Sequence, residues 1–138
     1  MRTVPDTNIV VSGLLWRGNP RRVLDAARDG IIEIFTSPVL LEELEDVLSR
    51  KKFAARLEAA GVTVQELIEG YAALATVIDA APIEPVIIRD PDDDAVLACA
   101  IAAEAEIIAS GDDDLLSLKE HQNIRVLTAT ELLEEFFL

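Results

Sequence analysis

Short apolar runs of strand length alternate with longer segments whose apolar residues recur at helical spacing, and this alternation restricts the fold more than any other feature. The runs are "RTVP" (2–5), "IIEIF" (31–35), a segment within 76–88, "EIIAS" (106–110) and "IRVL" (124–127). Between them, Val23, Leu24 and Ala27, then Leu40, Leu41, Leu44, Val47 and Leu48, then Leu67, Ile68, Tyr71, Leu74 and Ala75 each mark one face of a helix. Strands separated by helices pair in parallel, because each helix carries the chain back to the starting edge of the sheet. The pattern therefore predicts an α/β domain with a mainly parallel sheet. With 138 residues and 51% hydrophobic content, one domain over 1–138 suffices to bury a substantial core.

Local chemistry marks where the helices begin. Asn19-Pro20 and Ser37-Pro38 each offer a capping side chain followed by a proline suited to the first helical position. Thr63 with Glu66 and Thr128 with Glu131 have the spacing of reciprocal capping boxes, and Gly30 and Gly61 suit helix ends. Pro82 and Pro85 interrupt the segment 76–92, which reads as one or two short strands.

Composition then removes several classes of function. No apolar run approaches the roughly 18 residues that span a bilayer. The opening "MRTVPDTN" has no secretory pattern, which predicts a cytoplasmic protein without membrane association. Cys99, the only cysteine, lies in an apolar run and reads as a small buried hydrophobe. His121, the only histidine, follows Lys119 and Glu120 in what reads as a loop, so neither a Ser–His–Asp triad nor a His-rich zinc site is supported. The net charge of −14 is unevenly placed: residues 1–56 hold nine Lys/Arg against eight Asp/Glu, while residues 57–138 hold three against eighteen. The basic charge is N-terminal, in one group of Arg17, Arg21 and Arg22 and another of Arg50, Lys51, Lys52 and Arg56.

The acids are the informative residues. "RDPDDDAVLACA" (89–100) sets four carboxylates against an apolar run, and "SGDDDLL" (110–116) repeats the pattern. Two like charges about 4 Å apart repel by about 4 kcal/mol at an effective dielectric near 20, so such clusters call for an offsetting partner. Helix capping by Asp92, Asp93 or Asp94 accounts for one or two of them. In parallel α/β sheets ligands sit beyond the carboxyl ends of the strands. Asp6 follows the first strand, the 90–94 cluster the third, and Asp112 the strand ending near Ala109, so acids far apart in sequence converge on one edge. Glu43 lies on the helix 37–49, whose apolar residues at 40, 44 and 47 turn that face inward; Glu42, Glu45 and Asp46 read as solvated. Carboxylates without histidine or thiol suit hard divalent cations, Mg2+ or Mn2+, and such ions serve phosphoryl hydrolysis.

Four blocks in order, "VPDTNIVVSGLLW" (4–16), "SPVLLEELEDVL" (37–48), "DPDDDAVLACAIA" (90–102) and "IIASGDDDLLSL" (107–118), resemble the PIN domain, in particular the small prokaryotic ribonucleases that are the toxins of VapBC-type toxin–antitoxin pairs. The resemblance runs over nearly the whole chain. It implies a three-layer α/β/α sandwich with a five-stranded parallel sheet in order 3-2-1-4-5, and an RNA phosphodiesterase dependent on Mg2+ or Mn2+. Carried over by position, the metal-holding acids and catalytic residues would be Asp6, Glu43, Asp93 and Asp112. Asp93 is preferred over Asp92 and Asp94 because Ala100, seven residues on, meets the small residue expected in that helix. Asn8 would orient an acid, Ser110 would steady a metal-bound water or carboxylate, and Asp114 would be an additional acid. RNA would run over Arg17, Arg21, Arg22, Arg50, Lys51 and Lys52. The net charge of −14 predicts a basic partner, and the resemblance further implies a small antitoxin that inserts a cationic side chain, often arginine, among the carboxylates. Its binding surface is expected to include the apolar helix 37–49 and the helical region after it, where Phe53, Leu57, Val62 and Val64 offer more apolar surface than a small monomer usually exposes. A homodimer is expected as well.

Two other readings compete. A phosphoryl-transfer domain of the haloacid dehalogenase or receiver type would carry a second Asp two residues after Asp6, where this chain has Asn8, and a lysine better placed than Lys119. A PIN-like domain that binds RNA or protein without cleaving would be expected to have lost part of its acidic set.

Overall fold

The structure is a computed structural model that describes residues 1–81 and 91–137. The expectations for Pro82, Pro85, Arg89 and Asp90 lie outside these residues. Six strands, β1 (Arg2–Pro5), β2 (Glu33–Thr36), β3 (Thr76–Val77), β4 (Ile107–Ala109), β5 (Glu120–His121) and β6 (Ile124–Leu127), form one sheet in the order β3-β2-β1-β4-β6-β5. All neighbours are parallel except β5 and β6. The parallel part keeps the anticipated order, and the expected third strand is limited among the described residues to Thr76–Val77.

β5 corrects the expectation of five strands and of a loop around His121. Gln122 and Asn123 both adopt positive φ, 50° and 67°, which is the backbone of a two-residue hairpin turn. A strand of two residues is too short to register as a period.

The helices are α1 (Thr7–Leu15), α2 (Asn19–Arg28), α3 (Pro38–Leu48), α4 (Ala54–Ala60), α5 (Val64–Leu74), α6 (Pro91–Ala102), α7 (Asp113–Leu116) and α8 (Ala129–Phe137), with a 3-10 turn at Lys51–Phe53. The local signals hold. Ser37 Oγ accepts from Leu40 N–H, Thr63 and Glu66 exchange both capping-box hydrogen bonds, and so do Thr128 and Glu131. Gly61 ends α4 at φ 69°, a left-handed turn that favours glycine. α2 takes Gly18 rather than Asn19 as its capping position. α6 begins at Pro91, ahead of all three capping candidates Asp92, Asp93 and Asp94, because a proline lacking an N–H and fixed in φ is accommodated at a helix start. Asp93 therefore lies inside the first turn.

One core lies between the sheet and α1, α2, α3 and α8, where Val10, Leu24, Leu48 and Leu132 meet Ile34 and Ile107. The other lies under α6, where Val96, Leu97, Cys99 and Ala100 meet Val4, Phe35, Ile108 and Val126. Ile107 and Ile108 face opposite cores, so β4 is apolar on both sides, as a central parallel strand must be. Cys99 is fully buried, and burial pushes its thiol up to about 12, so it supplies no thiolate.

α1 and α2 approach closely at Gly13. A Cβ there would meet Leu24 Cδ1 at 2.8 Å and the Pro20 carbonyl oxygen at 2.9 Å. Alanine is the better helix former by about 1 kcal/mol, yet overpacking against a backbone carbonyl costs about 1–3 kcal/mol. Gly13→Ala is thus expected to lower stability in urea unfolding. An equal or higher midpoint would mean that α2 yields freely.

Candidate functional site

β1 and β4 lie side by side with Pro5 opposite Ala109, and the next residue of each, Asp6 and Ser110, leaves the sheet at its carboxyl edge. Asp6 N–H donates to the Ala109 carbonyl at 2.8 Å, and Ser110 N–H donates to Leu127 at 2.9 Å. Pro5 costs the ladder little. Successive N–H groups of a strand point to opposite sides, so with Asp6 bonded to β4 the nitrogen of Pro5 faces β2, where the pairing ends at Thr3 and Ile34. Asp6 occupies the capping position of α1, but its carboxylate is not spent on the helix amides. It instead accepts the Ser110 hydroxyl at 2.9 Å, and Ser110 Oγ in turn accepts Asp112 N–H at 2.9 Å. Both Asp6 and Ser110 are buried.

Asp112 caps the short helix α7, its Oδ1 accepting the Asp114 N–H at 3.4 Å. On α6, Asp93 lies in the first turn and is buried. Carboxylate oxygens of Asp93, Asp112 and Asp114 lie within 4.8 Å of one another. This close group unites two of the acids expected to form the quartet with Asp114, which was expected only in support. It does not include Asp6, which reaches it through Ser110, or Glu43. Glu43 is half-buried on α3, a helix that packs against α6, while Glu42, Glu45 and Asp46 are exposed. Asp94 is half-buried and Asn8 is exposed in the first turn of α1.

The donor set fits a hard divalent cation. All three groups offer oxygen, and α6 and the β4–α7 connection fix them from two directions. Oxygens on opposite sides of a Mg2+ ion lie about 4.2 Å apart, so a spread of 4.8 Å closes with small side-chain shifts or a bridging water.

The cationic residues divide by use. Arg17, Arg22, Arg50, Lys51 and Lys52 are exposed. Arg21 is half-buried, its Nε and Nη2 donating to the carbonyls of Gly13 and Leu14 at 3.0 and 3.1 Å. Arg56 Nε donates to Leu15 at 2.7 Å. Three carbonyls at the end of α1, which the helix cannot satisfy itself, are thus covered by guanidinium groups. The expected apolar partner surface is also revised. Phe53 is buried against Trp16, and Leu57, Val62 and Val64 are half-buried; among the described residues the exposed large apolar side chains include Trp16 and Val39 instead. No helix of the described residues is long and apolar enough to cross a membrane.

A mostly parallel sheet between helical layers, with acids gathered beyond the strand ends, defines an α/β/α protein of the class that binds ligands at the carboxyl edge of the sheet. The chain belongs to the PIN-domain family, whose model matches residues 2–114 and so takes in Asp6, Glu43, Asp93, Asp112 and Asp114. PIN domains are as a family nucleases. The fold is similar to that in the crystal structure of VapBC2 from Rickettsia felis bound to a DNA fragment from their promoter, with a TM-score of 0.61 and 17% identity over 91% of this chain and 97% of that one. No curated protein sequence matches the chain.

Proposed function

We propose that this PIN domain is a Mg2+- or Mn2+-dependent endoribonuclease and the toxin of a VapBC-type pair, acting on RNA in the cytoplasm. The observation that carries this reading is the convergence of Asp93, Asp112 and Asp114 within 4.8 Å at the sheet edge. Asp6, held by Ser110, and Glu43 complete the acidic wall. A bound divalent cation would supply an activated water and neutralise charge on the phosphoryl oxygens. The chain's own residues hold and orient: Asp93, Asp112 and Asp114 fix the cation, and Ser110 keeps Asp6 and the Asp112 loop in one arrangement through its two hydrogen bonds. Asn8, exposed two residues beyond Asp6, orients an acid or the substrate. The exposed cations Arg17, Arg22, Arg50, Lys51 and Lys52 bring the phosphate backbone to an otherwise acidic protein.

The similar structure belongs to a VapBC complex. By the same reading this chain has a small basic antitoxin whose arginine forks onto the carboxylates in place of the cation, so inhibitor and metal compete. It also acts as a homodimer. Incubating total RNA with the protein and Mg2+ or Mn2+ is expected to give internal cleavage that Asp6→Asn abolishes. Equal cleavage by the variant, or none by the wild type with either metal, would refute the assignment.

A further inference from the structure

Trp16, the chain's single tryptophan, ends α1 and stays 42% exposed. It is nevertheless anchored. Its ring lies 5.8 Å from that of Phe53, centroid to centroid, at 60°, and Phe53 is only 9% exposed. Lys52 Nζ stands 5.1 Å from the Phe53 ring centroid, and Arg56 holds the Leu15 carbonyl. These contacts bring residues 15–17 against residues 50–56. Two basic segments that the sequence keeps apart are thereby joined: Arg17 follows Trp16 directly, Lys52 lies over the ring that braces the indole, Arg56 is tied to Leu15 just before Trp16, and Arg50 and Lys51 lie on the same segment as Phe53. No acid occurs from 49 to 56, in a chain of net charge −14.

An aromatic ring braced on one side, with cations on both of the segments that meet there, suits a ligand that is both anionic and flat. From this juxtaposition we infer that Trp16 is a stacking platform for an unpaired base of single-stranded RNA, with the cations of both segments taking the flanking phosphates. A protein helix would need an apolar groove, whereas Trp16 is the one exposed large apolar side chain of residues 14–17 and 50–57, its neighbours Leu14 and Leu57 being half-buried. An acidic peptide would use the cations but not the indole. α1 is one continuous helix from Asp6 to Trp16, about 15 Å at 1.5 Å per residue, so the platform lies a few nucleotides from the carboxylates. Trp16 would then fix which phosphate of a bound strand reaches the acids. The inference rests on RNA being the substrate.

Because no other tryptophan contributes, emission reports on this residue directly. The full chain, kept in EDTA to prevent cleavage, is titrated with a uridine-rich single-stranded RNA while fluorescence and RNA anisotropy are followed together. Saturable quenching is expected with the single strand and not with a duplex of equal length. In anisotropy, Trp16→Ala should weaken the single strand's Kd by about 5- to 150-fold. Trp16→Phe, which keeps a π-face and the contact with Phe53, should retain most of the affinity. RNA binding without quenching, no RNA binding, both variants binding like the wild type, or poly-glutamate quenching as strongly as RNA would each overturn the platform. Cleavage with Mn2+ is assayed separately. Quenching without cleavage would remove the nuclease reading and leave the platform, and cleavage without quenching would do the reverse.

Discussion

Asp93→Asn is expected to abolish RNA cleavage while leaving the metal-free protein at least as stable as the wild type. The carboxylate of Asp93 lies within 4.8 Å of those of Asp112 and Asp114, a separation at which two charges repel by about 3.5 kcal/mol at an effective dielectric near 20. Asp112 and Asp114 are half-exposed, so screening reduces that figure without changing its sign. Asparagine preserves shape and removes one charge, which relieves the repulsion in the absence of metal. With metal the order reverses. The wild type gains stability as RT ln(1 + [L]/Kd), about 2.7 kcal/mol at a hundredfold excess over Kd, and the variant loses most of that gain. Losing several kcal/mol of charge stabilisation in the transition state corresponds to a rate loss of about a thousandfold or more. Scanning calorimetry in EDTA and in Mn2+, beside cleavage of total RNA, tests each part. A melting point several degrees lower than wild type in EDTA would make Asp93 a structural residue of the α6 start.

What the sequence made legible, and what it did not, follows from how local each feature is. The capping boxes at Thr63 and Thr128 and the serine cap at Ser37 involve residues three apart, so spacing alone reveals them. Asp93 and Asp112 stand out because like charges are crowded against apolar runs without local compensation. The closeness of Asp114 to them, and the attachment of Asp6 through Ser110, depend on how α6 and the β4–α7 connection meet, which no spacing encodes. Arg21 illustrates the opposite case. It reads as one of three surface arginines, but the chain turns after α1 and its guanidinium covers the helix-end carbonyls of Gly13 and Leu14. Phe53 is apolar and was expected to be exposed, yet Trp16 from a segment 37 positions away covers it. Tertiary approach decided each of these.

Ser110→Ala is expected to weaken Mn2+ binding by about 10- to 100-fold, the usual effect of removing a group that orients a metal's carboxylates. Ser110 is fully buried, and its hydroxyl links the Asp6 carboxylate to the Asp112 backbone: it donates to Asp6 Oδ2 and accepts from Asp112 N–H, each at 2.9 Å. Alanine removes a donor from a buried carboxylate oxygen and an acceptor from a part-buried amide, at a cost of about 1–3 kcal/mol in stability. The site would be affected first, because Asp112 is held partly by that amide and the loop to α7 loses its attachment to β1. Ser110→Thr keeps the hydroxyl and should recover the metal affinity, with only the added methyl to accommodate at a fully buried position. Isothermal calorimetry with Mn2+ on all three proteins, beside urea unfolding in EDTA, separates the roles. If Ser110→Ala loses stability but binds Mn2+ with the wild-type constant, the hydroxyl serves the fold alone and Asp6 does not depend on it for its place at the sheet edge.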